Sequence, residues 1–358
     1  MVSAEIVKWN AIQDQFRDGL VLGNGASIAI HQGFKYESLY KEAQQRKFLD
    51  ENAIAIFEAF GKNQHDFELV LRRLWYARQV NQALNLSGDA VDLVDNAYQT
   101  IRNALIRIVR ATHVTYDDAS QYFEPIAQFV SHFRTVFSLN YDLILYWAAM
   151  YGNTAKIGKF RDCFHYVTSG NLVLDPSWGT YRDGDGATLF FYPHGYLALA
   201  RDVSDEEHKL RASSTKLLDA ILTSWEDGKV LPVFVCEGTS DHKLRSINGS
   251  SYLGRVYLNG FEEIQESVVI YGWSMGEQEQ HIVDQILSQQ PKAVAVSVWN
   301  GNMDTVGRAN QLFAGKVERL VFFDAQSPGA WNNPNGSKEP IVAGTNLNVF
   351  ARPAAIQG

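Results

Sequence analysis

Apolar residues fall into two patterns along this chain. Short unbroken runs, bounded by glycine or polar clusters, recur at residues 19–22, 135–140, 188–192, 232–236, 267–271, 293–298 and 319–323. A run without alternation reads as a strand buried on both faces, as in a parallel sheet. Helical spacing dominates residues 52–60, 67–80, 90–110 and 118–129, and returns at 143–151, at 210–225 and after three of the last four strands. Strands alternating with helices predict an α/β fold with a Rossmann-like parallel sheet flanked by helices. Strand signals are scarce between about residues 40 and 130, so this stretch reads as a large helical insertion after the first strand, a cap or lid. The domain so drawn covers residues 1–325. The Pro-, Gly- and Asn-rich residues 326–358 read as an irregular, packed extension.

The predicted strand ends carry the chemistry, because open parallel sheets bind ligands beyond the carboxyl ends of their strands. Gly23-Asn24-Gly25-Ala26-Ser27 follows the first strand. Its glycines permit close backbone approach to a pyrophosphate, and Ser27 adds a hydroxyl; a purely structural turn is the plainer reading. The loop is neither a Walker A motif nor a full GxGxxG. Asn140 and Asp142 follow the next strand and suit positioning of a ribose, an amide or a water, or simple helix capping. His194, between Pro193 and Gly195, is the candidate general base, against the commoner structural role of a lone histidine.

Gly272-Trp273-Ser274 ends another run, with Glu277 close behind as a helix cap or ribose partner. Gly272 to Gly276 also spells the GxSxG nucleophile elbow. A hydrolase triad needs an acid and then a histidine after the serine, however, and the last histidine, His281, stands seven residues on and ahead of Asp284, Asp304 and Asp324. His281 itself reads as a helix-surface residue. The polar end of residues 234–240, with Lys243 and Arg245, can serve a phosphate, a partner or plain solvation.

Composition narrows the class. The 358 residues are 46% hydrophobic, enough for a substantial core, and carry 32 Lys+Arg against 40 Asp+Glu. A formal charge of −8 argues against nucleic acid as the principal ligand. The two cysteines, Cys163 and Cys236, sit in apolar surroundings and read as buried thiols rather than a disulfide or a zinc ribbon. The first residues lack a signal-peptide core and no run approaches eighteen apolar residues, so a cytoplasmic protein without a membrane partner is expected.

The order Gly23-Asn24-Gly25-Ala26-Ser27, Leu139-Asn140-Tyr141-Asp142, Pro193-His194-Gly195, Gly272-Trp273-Ser274 resembles bacterial sirtuin-like NAD-processing domains over most of residues 15–300. Asp66-Phe67-Glu68 is also similar to an acidic segment of antiviral sirtuin-like NADases. The resemblance implies NAD as substrate, with Gly23 to Ser27 at its phosphates, Asn140 beside the nicotinamide ribose and Asp142 at the nicotinamide. It makes His194 the base and places Gly272 to Ser274 at the adenosine side or its phosphates. The chain departs from deacetylating sirtuins in lacking their zinc-binding cysteine quartet and in having Gly-Asn-Gly where Gly-Ala-Gly is usual. It therefore implies a metal-free hydrolase releasing nicotinamide and ADP-ribose, in an anti-phage setting, as a homo-oligomer or with a defence-system partner. ADP-ribosyl transfer, NAD-dependent deacylation and non-enzymatic sensing of NAD or ADP-ribose stand as alternatives.

Overall fold

The computed structural model describes residues 5–35, 37–60, 65–235 and 237–334. Thirteen strands are found among them: β1 (Ile6–Val7), β2 (Gly19–Leu22), β3 (Thr135–Ser138), β4 (Phe160–Arg161), β5 (Phe164–Tyr166), β6 (Leu172–Leu174), β7 (Thr188–Phe191), β8 (Gly195–Asp202), β9 (Glu207–Lys209), β10 (Val230–Phe234), β11 (Ser267–Tyr271), β12 (Ala293–Val298) and β13 (Arg319–Asp324). Eight of them make one sheet in the order β1-β13-β12-β11-β2-β3-β7-β4, every neighbouring pair parallel. Its six inner strands, β7-β3-β2-β11-β12-β13, repeat the doubly wound order 3-2-1-4-5-6. The chain winds outward from β2 through β3 to β7, then returns to the other side of β2 at β11. The β2–β11 seam is therefore the topological switch point.

The central strands are unbroken apolar runs because helices cover both faces. All residues of β2, β3, β7 and β11 are buried. Each Val, Ile or Leu taken fully from water there contributes about 1.5–3 kcal/mol. The long connection from β2 to β3 is helical, as expected, with helices Leu39–Gln45, Glu51–Phe60, Phe67–Ala83, Asp89–Thr112, Tyr116–Ser120 and Phe123–Val130. Side-chain caps mark several starts: Ser38 accepts from the Lys41 amide, Asp66 from Glu68 and Thr115 from Asp118. The helix expected over 118–129 is two helices, broken between Ser120 and Phe123.

A second sheet was not foreseen. The remaining five strands form it in the order β10-β8-β9-β6-β5, all antiparallel. The run at 232–236, read as part of the parallel sheet, is β10 of this second sheet; Cys236 lies outside the described residues. Both sheets are packed on two faces here, so β8 and β10 are as uniformly apolar as parallel strands and the pattern does not separate them. Cys163 is buried, as expected, and its thiol is held well above its usual range by burial.

Of the extension read over 326–358, residues 335–358 lie outside the described residues. The described part turns back onto the first glycine loop, where the Trp331 indole donates to the Ala26 carbonyl at 2.9 Å. Among the described residues, no helix is long and apolar enough to cross a membrane.

Candidate functional site

A cavity of ≈ 740 Å³ lies at the carboxyl ends of the parallel strands, across the switch point. It is lined by Gly23, Asn24 and Gly25 after β2, by Asn140 and Asp142 after β3, by His194 after β7 and by Gly272, Trp273 and Ser274 after β11. Four loops spread between residues 23 and 274 thus meet, as the strand-end reading required. Three residues of the predicted set stand outside the lining. Ala26 and Ser27 are buried beneath the loop, and Glu277 is exposed at the start of the short 3-10 helix Glu277–Glu279.

The glycines are accounted for by contact between the two loops. The Gly23 amide donates to the Tyr271 carbonyl at 3.0 Å and the Gly25 amide to the Gly272 carbonyl at 2.7 Å. The Ala26 amide turns back to the Gly23 carbonyl at 3.0 Å. A Cβ on Gly23 would lie 2.5 Å from the Trp273 Cβ, and one on Gly25 2.7 Å from the Gly272 oxygen. Gly272 has a φ of +64°, and a Cβ there would meet the Ala26 nitrogen at 2.4 Å. The three amides at 23, 25 and 26 are thereby committed within the protein. Gly272→Ala should cost about 1–3 kcal/mol of stability through strained backbone and the clash. Urea unfolding checks this against Gly307→Ala, where the new Cβ meets nothing within 4 Å beyond its chain neighbours and its own helix backbone. Equal midpoints for the two variants would remove the close-approach explanation.

Beneath that loop, Asn140, Ser27 and Asp142 form one polar unit. The Asn140 amide donates to the Gly23 carbonyl at 3.0 Å and to the Ser27 hydroxyl at 2.8 Å. Ser27 Oγ donates to Asp142 Oδ2 at 2.5 Å, and Asp142 Oδ1 accepts from the Ile144 amide at 2.9 Å. Capping and site-building thus coincide in Asp142. His113 braces the same turn. Its Nε2 accepts from the Leu143 amide at 3.0 Å, which leaves Nδ1 to donate to the Val114 carbonyl at 2.7 Å. This fixes a neutral tautomer, consistent with burial lowering its pKa.

His194 is not alone. Its Nε2 faces His281 Nε2 at 2.9 Å, and His281 Nδ1 lies 3.0 Å from Ser240 Oγ, which also accepts from the His281 amide. Both rings are buried, at 2% and 3% exposure, so the expectation of a surface histidine at 281 is corrected. Its neighbours Gln278, Glu279 and Gln280 are polar and gave a surface signature. Only the packing of the 240–248 and 280–288 helices turns the ring inward. Burial, then the positive charge of Lys243, then the second imidazole hold the His194 pKa well below its usual value. Burial and Lys243 push His281 down to about 4. Two neutral rings sharing one proton are what such a contact requires. His281 is committed to His194 and Ser240, and among the described residues no hydrogen bond joins exposed Ser274 to a histidine, so the GxSxG match lacks the triad of a nucleophile elbow.

Acidic groups close the opposite wall. Glu237 Oε1 accepts from the Tyr40 amide at 3.2 Å, and burial pushes its carboxyl up to about 7. Asp66 behind it is also pushed up to about 7, by burial and by the Glu237 charge. His65 lines the same wall, stacked on Tyr40 with ring centroids 4.0 Å apart. Glu279 accepts from the Trp273 indole and pairs with Lys243 at 3.4 Å. Sequence reasoning marked the 234–240 segment and Lys243 as polar but had no signal for His65, Glu279 or the histidine pair, which only tertiary packing assembles. Among the described residues, no group of three or more His, Cys, Asp or Glu side chains is arranged to hold a metal ion.

A family model described as Domain of unknown function (DUF4917) matches the chain over residues 20–331. The matched stretch includes every cavity residue named above. No curated protein matches the chain.

Proposed function

We propose that this chain, which belongs to the DUF4917 family, binds NAD in the switch-point crevice and hydrolyses its nicotinamide–ribose bond. The observation that carries the reading is the 3-2-1-4-5-6 strand order with a cavity of dinucleotide size at the switch point. The resemblance of the four loops to sirtuin-like NAD-processing domains supports it, and the same four loops line the cavity.

In the proposed reaction water attacks the ribose C1′ as the C–N bond breaks. The bonding pair leaves with nicotinamide, and the proton lost by water passes to His194. The products are nicotinamide, ADP-ribose and a proton. Both Asn140 Nδ2 hydrogens are committed, so Asn140 meets a ribose hydroxyl through Oδ1. Asp142, anchored by Ser27 and the Ile144 amide, supplies a fixed negative charge toward the cationic ring and the developing oxocarbenium.

One observation favours a second reading, a sensor that binds NAD or ADP-ribose without turnover. His194 Nε2 is occupied by His281, and an imidazole held so far below its usual pKa is a weak base. Incubation with NAD and mass-resolved product analysis separates the two. Nicotinamide and ADP-ribose in equal amounts are expected. Intact NAD together with tight binding would leave the sensor and end the hydrolase reading.

A further inference from the structure

Lys243 is the anomaly of the cavity. It sits on helix Ser240–Asn248 with its side chain 4% exposed, yet its ion pair with Glu279 is long, at 3.4 Å. Removing an ammonium from water is costly unless a close partner compensates. Glu279 is a divided partner, because its other oxygen holds the Trp273 indole. Glu237 also lines the cavity, but burial favours its uncharged form. Arg245, on the same helix, is exposed to solvent, and Lys41 at the cavity rim is half exposed and paired with Glu37. Lys243 is therefore the buried cation that the described cavity offers to a ligand.

The glycine loop raises the same question from the other side. A phosphate cradle needs free amides, and those of Gly23, Gly25 and Ala26 are bonded to Tyr271, Gly272 and Gly23. These three amides therefore offer a phosphate nothing, which gives weight to a cation elsewhere in the crevice.

We propose that Lys243 is the phosphate anchor of the crevice: a phosphate oxygen of the ligand takes the place of Glu279 at Nζ, and Glu279 keeps Trp273. This rests on the nucleotide reading above and relocates its anionic end from the β2 loop to the 240–248 helix. It also links binding to the histidine pair. Lys243 is one of the charges that disfavour a proton on His194 and His281, and an anion against Nζ cancels it. The crevice is then a better proton acceptor when a phosphate-bearing ligand is present than when it is empty.

Titration calorimetry with ADP-ribose, adenosine and inorganic pyrophosphate tests the assignment on wild type, Lys243→Met and Glu279→Gln. Lys243→Met should weaken ADP-ribose and pyrophosphate about tenfold to a hundredfold, the range of a charge-assisted hydrogen bond, and leave adenosine unchanged. Glu279→Gln should tighten both anions, since it frees Nζ. Equal affinity of wild type and Lys243→Met for either anion overturns the anchor, as does a wild type that binds neither. Should Lys243→Met not fold, absence of tightening in Glu279→Gln overturns it. Pyrophosphate binding lost in Lys243→Met, with no ADP-ribose binding by wild type, would keep the anchor and reject the nucleotide.

Discussion

His194→Ala should lose at least about a hundredfold in NAD turnover while remaining folded. A positioned general base contributes about 10²–10⁴-fold. His194 lines the cavity and lies in direct contact with His281, at 2.9 Å. Removing it leaves His281 Nε2 buried without that partner, a cost of about 1–3 kcal/mol. The loss of activity must therefore be read beside a melting curve. His194→Gln separates the two effects, because a carboxamide can still meet His281 but cannot take up a proton at neutral pH. The product assay should show both variants inactive, with His194→Gln the more stable. Turnover by His194→Gln within a few-fold of wild type would take His194 out of the chemistry and leave it a structural partner of His281.

The largest loss of stability should come from Glu207→Ala, about 3–5 kcal/mol, the usual cost of orphaning a buried charge. Arg201 and Glu207 have side chains 4% and 1% exposed and meet at 2.6 Å. Glu207 Oε2 also accepts from Ser250 Oγ at 2.8 Å, Ser251 Oγ at 2.9 Å and the Tyr252 amide at 2.7 Å. One carboxylate thus ties the β8–β9 hairpin to the start of helix Ser251–Asn259. Alanine removes the buried partner of the Arg201 guanidinium and leaves it the Gly249 carbonyl at 2.8 Å, the Tyr76 hydroxyl at 3.4 Å and the exposed Asp205 carboxylate at 3.5 Å. Chemical unfolding of Glu207→Ala and of Arg201→Met/Glu207→Leu tests this. The double variant should regain much of the loss, because the buried charge is gone with its partner. A single variant within about 1 kcal/mol of wild type would show that the network is relaxed or hydrated in solution.

Much of the site was legible because its residues sit where apolar runs stop. The strands read at 267–271 and 293–298 have the same bounds in the structure, and those at 135–140 and 188–192 differ only at their ends. Once these strands lie side by side and parallel, Gly23, Asn140, His194 and Gly272 are brought together by topology alone. What was not legible depends on contacts between distant segments. The run Tyr196 to Ala200 is apolar and continuous, but Gly195 before it reads as the end of β7 rather than the start of another strand. The orientation of β10 is set by its pairing with β8, a long-range choice that burial alone does not encode. The two-residue edge strand β1 is too short for any periodic signal. Ser27 shows a subtler limit: a hydroxyl in a glycine-rich turn reads as a phosphate contact, whereas here it is held between Asn140 and Asp142.

The position of His194 has a mechanical meaning. β7 ends at Phe191 in the parallel sheet and β8 begins at Gly195 in the antiparallel one. Only Tyr192, Pro193 and His194 lie between, so the imidazole is carried by the splice joining two stiff plates. Gly195, at a φ of +72° with the Val233 carbonyl 2.2 Å from where a Cβ would stand, pins the far side of that splice. His281 belongs to the helix that follows β11 and holds the ring from the parallel-sheet side. A shift of one plate against the other therefore changes the spacing of the two imidazoles and, with it, the crevice wall that His194 lines.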